Sequence, residues 1–196
     1  MGRKAGFTDE QVFVWLADHL AQAPGVTVQQ VSKGTGVSVG SLYHRYGSME
    51  GLLAESWLWA HGKYRELIDG AFEHTGVRGA VRASLRGLVL AGECRSAANL
   101  LFAVPERYLV RGGIEQAIST RIQKEKTAFN NLISAFAKRE EFDAETIELA
   151  VIQMPKAILQ KYLPFEEIPE AVSFYIKKTC RMIVTNPINV TEPEPA

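Results

Sequence analysis

The stretch from residue 28 to residue 46 constrains the fold more than any other part of the chain. Its pattern predicts two short helices joined by a tight turn. Gly36 stands where such a turn needs a residue that tolerates positive φ. Ser38 is placed to cap the second helix, whose Leu42 and Tyr46 lie one turn apart and face inward. A helix-turn-helix unit is therefore the first structural prediction.

The opposite face of this second helix carries small and hydrogen-bonding side chains. At 100° per residue, these residues point away from Leu42 and Tyr46 or flank that outward surface. They are Val39, Gly40, Ser41, Tyr43 and His44. A short helix that is held by a partner helix and presents such a face has the form of a major-groove reader.

The run from Thr27 to Leu53, and above all Thr35 to Ser48, resembles the DNA-binding motif of TetR-family transcriptional regulators. The motif covers about the first quarter of the chain, and the rest is similar only in its length and all-helical pattern. The resemblance implies an all-α fold with an N-terminal three-helix DNA-binding domain and a C-terminal helical domain for ligand binding and dimerisation. Two positions where the family often has a basic residue hold Val39 and Met49 here.

Each candidate DNA contact has a physical role and a purely structural alternative. Phosphate oxygens can accept from the Tyr43 phenol and from the N–H groups of helix starts, and base edges can bond Ser41 and His44. In any helical protein the same residues could be simple caps or a half-exposed aromatic. The DNA-binding candidates are Thr27, Ser38, Val39, Gly40, Ser41, Tyr43, His44, Arg45 and Ser48.

The charge balance gives only weak electrostatic attraction to nucleic acid. Net charge is zero over the chain, and residues 1–47 hold four basic against three acidic residues, which is 4 − 3 = +1. DNA affinity must then depend on backbone N–H groups, hydroxyls and dimerisation as much as on counterion release. The leading hypothesis is a ligand-responsive repressor on a pseudo-palindromic operator. The rival is a helical small-molecule-binding protein with weakened DNA binding.

Helix signals and breaks divide the chain into four segments. They are a DNA-binding domain at 1–47, a connecting helix at 48–69, an effector-binding and dimerisation domain at 70–186, and a disordered tail at 187–196. Within the third segment we expect helices over 80–91, 96–104, 114–138 and 170–184. Pro155 should kink the helix that begins near Asp143.

The resemblance places an effector pocket among the helices of residues 50–140, and its apolar make-up indicates a small, largely hydrophobic effector. The candidate lining residues are Trp57, His61, Glu93, Phe102, Glu106, Arg107, Tyr108 and Phe129. The alternative is that the aromatic residues only pack the core.

Two late helices, 143–163 and 169–184, carry apolar stripes that could face a symmetric partner and make a homodimer. The candidate interface residues are Ile147, Val151, Met154, Ile158, Val172, Tyr175, Ile176 and Ile183. The alternative is that these stripes pack only within their own domain.

Enzyme and metal constellations are missing from the sequence. The histidines at 19, 44, 61 and 74 do not form a helical i, i+4 pair, and neither cysteine lies in a nucleophile signature. We predict no catalysis, no cofactor and no metal site, with Cys94 and Cys180 as two buried thiols rather than a disulfide. An N-terminal apolar leader and a run of about 18 apolar residues are both absent, so we expect a cytoplasmic protein without a membrane span.

Overall fold

The computed structural model describes residues 7–22, 25–104 and 114–186, and these residues form helices and connecting turns without a strand. The all-α prediction is confirmed. The first four helices are α1 (Asp9–Gln22), α2 (Val28–Thr35), α3 (Val39–Tyr46) and α4 (Met49–Ala71). The next four are α5 (Gly76–Ser84), α6 (Arg86–Glu93), α7 (Arg95–Ala103) and α8 (Gln116–Arg139). The last three are α9 (Ala144–Glu148), α10 (Met154–Leu159) and α11 (Ala171–Thr185).

Side-chain caps fix the start of each helix in the N-terminal part. At α1, the N–H of Thr8 donates to Gln11 Oε1 at 3.1 Å, and the N–H of Gln11 donates to the Thr8 hydroxyl at 3.3 Å. The same reciprocal pair joins Thr27 and Gln30 at α2. Such capping boxes satisfy backbone donors that a helix start leaves without a partner, so they set where the chain enters each helix.

The buried apolar side chains form two clusters. The smaller cluster joins α1, α2, α3 and the first turn of α4, and its members are Val12, Phe13, Leu16, Val28, Val31, Val37, Leu42, Tyr46 and Leu52. The larger cluster contains Ala17 of α1 and residues from α4 to α11, among them Trp57, Phe72, Phe136 and Ile147. Helix α4 contributes to both clusters, so it links the two parts of the molecule.

Two sequence predictions differ from the structure in detail, and two others concern residues that the structure does not describe. The helix predicted over 80–91 is two helices, α5 and α6, which meet at Leu85. The irregularity predicted near Met154 is a π-helical turn, Leu149–Gln153, between α9 and α10, and Pro155 lies in the first turn of α10. Residues 1–6 and the tail predicted at 187–196 lie outside the described residues.

Candidate DNA-binding surface and effector cavity

A tight turn holds α2 and α3 in a fixed relation. Gly36 follows α2 with φ of 73°, and its N–H donates to the carbonyl oxygen of Ser32 at 3.0 Å. This left-handed conformation favours glycine. The Ser38 hydroxyl then accepts from the N–H of Ser41 at 3.1 Å and begins α3. The geometry agrees with the helix-turn-helix predicted from the sequence.

Helix α3 has one buried face and one exposed face. Leu42 and Tyr46 are 2% and 4% exposed and pack in the smaller cluster. Tyr43 is 47% exposed. The other outward residues are also exposed, except for the half-buried Val39; they are Gly40, Ser41 and His44. The surface that the sequence assigned to DNA is therefore open, although its contact with DNA stays a prediction.

Arg45 is exposed but is already paired within the chain. Its Nε donates to Asp9 Oδ1 at 2.5 Å, and its second nitrogen pairs with Asp9 Oδ2. The Tyr46 hydroxyl donates to the same Oδ1 at 2.5 Å. The hydrogen bond from Arg45 and the one from Tyr46 outweigh burial and hold the pKa of Asp9 below its ordinary value. The pKa of Tyr46 is raised, first by burial and then by Asp9. Arg45 thus ties α3 to the first turn of α1.

The starts of α2 and α4 lie at the two ends of this module. The Thr27 hydroxyl accepts from the N–H of Gln30 at 3.3 Å, and the Ser48 hydroxyl accepts from the N–H of Gly51 at 2.9 Å. Thr27 is exposed and Ser48 is half-buried. Each cap uses one N–H of its first turn, and the remaining N–H groups and the helix dipole favour an anion such as a phosphate.

A cavity of about 310 Å³ lies between α4, α7, α8 and the α9–α10 segment. One side is aromatic and is formed by Trp57, His61, Tyr64, Phe102 and Phe129. Another side is polar and is formed by Asn130, Ser134, Glu145, Glu148 and Lys156. A concave, largely apolar site with a few polar groups is typical of small-molecule binding.

Beside this aromatic wall, three charged or polar groups satisfy one another. His61 Nδ1 lies 3.1 Å from Glu125 Oε1, and Arg65 Nε donates to the same oxygen at 2.8 Å. Burial opposes ionisation of Glu125, but the hydrogen bonds from Arg65 and His61 outweigh it, so the pKa of this carboxyl is lowered. The His61 ring stacks on Trp57 with centroids 4.5 Å apart. The polar groups thus hold the imidazole against the aromatic wall.

The described residues also bear on metal binding and membrane insertion. Within them, no group of three or more histidine, cysteine, aspartate or glutamate side chains is arranged to hold a metal ion. None of their helices combines the length and the apolar character that a membrane span requires. Both cysteines are free thiols, with Cys94 half-buried and Cys180 buried. Burial raises the pKa of Cys180 to about 11.

The DNA-binding module resembles known proteins in its sequence. A family model described as bacterial regulatory proteins of the tetR family matches residues 23–56, which span the helix-turn-helix and the start of α4. A comparison with curated proteins finds no match. Solved structures extend the likeness from the module to the whole fold.

A putative TetR-family regulator from Rhodococcus sp. superposes with a TM-score of 0.69 at 15% identity, covering 89% of this chain and 97% of that one. The TetR-family regulator PfmR from Thermus thermophilus gives 0.68 at 15% identity, with 90% and 98% covered. The fatty acid degradation regulator FadR from Bacillus halodurans gives 0.64 at 14% identity, with 90% and 97% covered. Residues 23–56 thus match the tetR-family model, and the fold of the described residues is that of solved TetR-family regulators.

The cavity brings together only part of the predicted lining. Four of the predicted residues share it: Trp57, His61, Phe102 and Phe129. Glu93 does not line it, because this residue is exposed at the C-terminal end of α6. Glu106, Arg107 and Tyr108 lie outside the described residues. The pocket also extends beyond the expected range of 50–140, since α9 and α10 close one side of it.

One missed lining residue was accessible to sequence reasoning. Tyr64 follows Trp57 and His61 at i+7 and i+3, so it lies on the same helical face. The contributions of Glu145, Glu148 and Lys156 had no such signal, because they depend on how α9 and α10 pack against α8.

The predicted dimer stripes need a correction in this TetR-type fold. Ile147, Val151, Val172 and Ile176 are at most 1% exposed, because they fill the larger cluster within their own chain. They are therefore not available as the contact face of a second copy. Of the other predicted residues, Tyr175 is exposed, and three are half-buried: Met154, Ile158 and Ile183.

Proposed function

We propose that this chain is a homodimeric transcriptional repressor, not an enzyme, that leaves its operator when a small, largely hydrophobic effector fills the cavity. It would act in the cytoplasm, where its operator lies. The observation that carries the proposal is the open polar face of α3, held from behind by buried Leu42 and Tyr46. In this proposal residues 1–47 dock on DNA, residues 48–69 connect, and residues 70–186 bind the effector and dimerise.

The outward face of α3 supports major-groove docking. Ser41 and His44 supply short hydrogen-bonding groups, Gly40 adds no side-chain bulk, and the Tyr43 phenol extends toward solvent. Such groups can bond base edges and phosphates without a strong positive charge. Two copies in a symmetric dimer would read half-sites about 34–36 Å apart, or a multiple of that distance.

An apolar outward face on α11 supports the dimer. Phe174, Tyr175 and Met182 are 59%, 56% and 56% exposed, and Leu149 in the π-helical turn is 36% exposed. Large apolar side chains exposed close together are unusual on a monomer surface. Since two copies of one face can satisfy each other in a two-fold dimer, this surface replaces the buried stripe that the sequence suggested.

Two long helices connect the cavity with the DNA-binding module. Helix α4 places Leu52 in the smaller cluster and Trp57 in the cavity wall. Helix α8 lines the cavity with Phe129 and joins α4 by an ion pair between Arg121 and Glu55. An effector that favours one position of α4 would change the separation of the two α3 helices and so release DNA.

Binding of operator DNA to the full-length chain tests the proposal. Duplexes selected from a random pool by the purified protein are titrated by fluorescence anisotropy at several salt concentrations. Tyr43→Ala should weaken binding to all DNA sequences alike, by about 3–10-fold, because a phosphate contact carries no sequence information. His44→Ala should change which base is preferred at one position. Lys138→Ala, at the exposed far end of α8, is the control and should change neither.

The stoichiometry of the complex and two contrary outcomes complete the test. Sedimentation of the complex should show two chains on each operator. Equal effects of Tyr43→Ala and His44→Ala would contradict their assigned roles, and operator binding that no compound in a broad screen disturbs would contradict the switch.

A second candidate is a helical small-molecule-binding protein with weakened DNA binding. The pairing of Arg45 with Asp9 favours this second candidate, because the ion pair occupies one of the few cations near α3. Val39 stands at a position where the family often has a basic residue, and its lack of charge also favours weakened DNA binding. Binding to duplex DNA that is weak at low salt, with equal affinity for selected and random sequences, would support this candidate over the repressor.

A further inference from the structure

Tyr64 is a buried residue in the wall of the cavity, and its phenol is a hydrogen-bond donor. The residue is 5% exposed, lies in the cavity wall, and makes no hydrogen bond with any part of the chain that the structure describes. Burial alone raises the pKa of this phenol, so it stays a neutral O–H donor. Buried polar groups in folded proteins nearly always have a hydrogen-bond partner. Since no described residue bonds to the phenol of this cavity-lining residue, the phenol can donate to a molecule in the cavity.

Aromatic rings surround this hydroxyl and would hold a flat molecule beside it. The Tyr64 ring lies 5.9 Å from the Phe129 ring and meets the Phe102 ring edge to face at 6.1 Å. The His61 ring in turn meets Phe129 edge to face at 4.9 Å. These separations are those of favourable ring contacts, and a planar apolar ligand could extend the same packing.

The charges on this side of the cavity leave no net charge to compensate a charged ligand. Glu125 takes hydrogen bonds from both Arg65 and His61. Glu145, Glu148 and Lys156 belong to the polar side, where the two carboxylates outnumber the one ammonium group. Glu148 also accepts from the side-chain amide of Gln153 at 2.9 Å. Burial of an unpaired ion is strongly unfavourable. The part of a ligand that reaches Tyr64 should therefore be uncharged.

The volume limits the size of the ligand. About 310 Å³ is at the lower end of the range for small-molecule pockets, which suits a molecule of one or two rings. We propose that the effector is a small uncharged aromatic molecule with a carbonyl oxygen, and that the Tyr64 hydroxyl donates a hydrogen bond to that oxygen. This inference rests on the proposed function, since it concerns the same cavity.

The test uses two probes of nearly equal shape, benzophenone and 1,1-diphenylethylene, which differ by C=O against C=CH₂. Binding to the full-length chain and to Tyr64→Phe is measured by calorimetry, with thermal unfolding as a check that the variant folds. Benzophenone should bind Tyr64→Phe about 5–10-fold more weakly than the unchanged chain, the effect of one lost hydrogen bond. The hydrocarbon should bind both proteins within twofold of each other. 4-Benzoylbenzoate, which adds a carboxylate, should bind more weakly than benzophenone.

A second measurement keeps the inference testable if Tyr64→Phe folds poorly. The carbonyl stretching band of benzophenone in the complex with the unchanged chain should move to lower frequency than in a hydrocarbon solvent. An unshifted band, equal ketone affinity in the two proteins, or failure of benzophenone to bind would each overturn the inference. These results are separate from the proposed function, because operator binding is measured without any ligand. A chain that binds the ketone as expected but binds no DNA would keep this inference and lose the repressor.

Discussion

The DNA-binding module and the larger helical body are held together in different ways. In the module, Thr8, Thr27, Ser38 and Ser48 each accept a backbone hydrogen bond at a helix start. In the body, only Asp143 at α9 makes such a bond among the helices that the structure describes from α5 onward. Local hydrogen bonds thus define the module, whereas packing between distant residues defines the body.

Ring packing illustrates the second case. Phe72 at the end of α4 stacks on Phe136 of α8 with ring centroids 4.0 Å apart. Phe142 also packs against Phe136, with ring centroids 6.3 Å apart. Phe72 is far from the other two in sequence. A module set by local contacts can keep one docking geometry, while a body set by distant contacts can adjust around a ligand. Variants that remove one kind of contact at a time test this difference.

The largest effect is expected where α3 meets α4. A Cβ added at Gly51 would lie 2.0 Å from the carbonyl oxygen of Tyr46, a backbone atom that cannot move alone. Gly51→Ala should lower the free energy of unfolding of the module by about 1–3 kcal/mol and weaken DNA binding. Hydrogen exchange of the α3 amides measures the first effect, and operator titration measures the second.

Gly62 provides the matched control on the same helix, because a Cβ there would meet nothing within 4 Å. Gly62→Ala should be neutral or stabilising by about 0.5–1 kcal/mol, as expected for alanine in a helix interior. Gly79→Ala, whose Cβ would lie 2.2 Å from the carbonyl oxygen of His74, should destabilise the body and leave α3 protected. If Gly51→Ala behaves like Gly62→Ala, the module is not as rigidly defined as its caps indicate.

A smaller change in the free energy of unfolding should distinguish a residue that makes a cap hydrogen bond from one that does not. Thr27→Ala removes the hydroxyl that accepts from the N–H of Gln30 at the start of α2 and should cost about 1 kcal/mol. Thr75 precedes α5 but makes no side-chain cap bond, so Thr75→Ala should change the free energy of unfolding little. Urea denaturation measures both variants, and Thr27→Asn should recover most of the loss. Equal costs for the two alanine variants would remove the contrast between module and body.

The same contrast explains how much of the fold the sequence could predict. Thr27, Gly36 and Ser38 act on neighbours within four residues, so their roles were predicted correctly from residue type and spacing. The break at Leu85 had no such signal, since no glycine or proline stands there. Just after it, Gly87 is so close to Leu159 and Phe102 that an added Cβ would lie 2.6 and 3.1 Å from them. That approach involves residues of distant helices, which a local pattern does not contain.

Helix α11 shows why the candidate sites were predicted only in part. It has apolar residues on two faces: Val172 and Ile176 on one, Phe174 and Met182 on the other. Hydrophobic periodicity identifies an inward face only when the opposite face is polar. Which stripe is buried is decided by packing against α5 and the α9–α10 segment. The prediction took Val172 and Ile176 from the buried face and Tyr175 from the exposed one, so it mixed the two faces. For the cavity, a helical stripe could have indicated Tyr64, but nothing local indicated Lys156.

The smallest effect concerns the ion pair between Arg45 and Asp9 in the module. Asp9 has its pKa lowered from 3.8 by Arg45 and Tyr46, so its link stabilises the folded state above the ordinary pKa and is lost as pH falls through the lowered value. Because the side chains of Arg45 and Asp9 are 46% and 38% exposed, solvent screening limits the link to about 1 kcal/mol or less. Asp9→Asn should remove this part of the acid dependence. Other carboxyls with lowered pKa values, Glu125 among them, titrate in both proteins, so the difference between the two urea midpoints against pH isolates Asp9.

DNA binding by the same variant decides whether this link is structural or also competes with phosphate. Freed from Asp9, the Arg45 guanidinium could reach the backbone of DNA, and the slope of log affinity against log salt would steepen by about one. Arg45→Gln in the Asp9→Asn background is the control and should return the slope to its starting value. A steeper slope with lower stability would mean that the module gives up DNA affinity for a fixed α3. An unchanged slope with lower stability would mean that Asp9 only positions α3. The module would then also depend on a contact between residues 36 positions apart, with no cost to DNA binding.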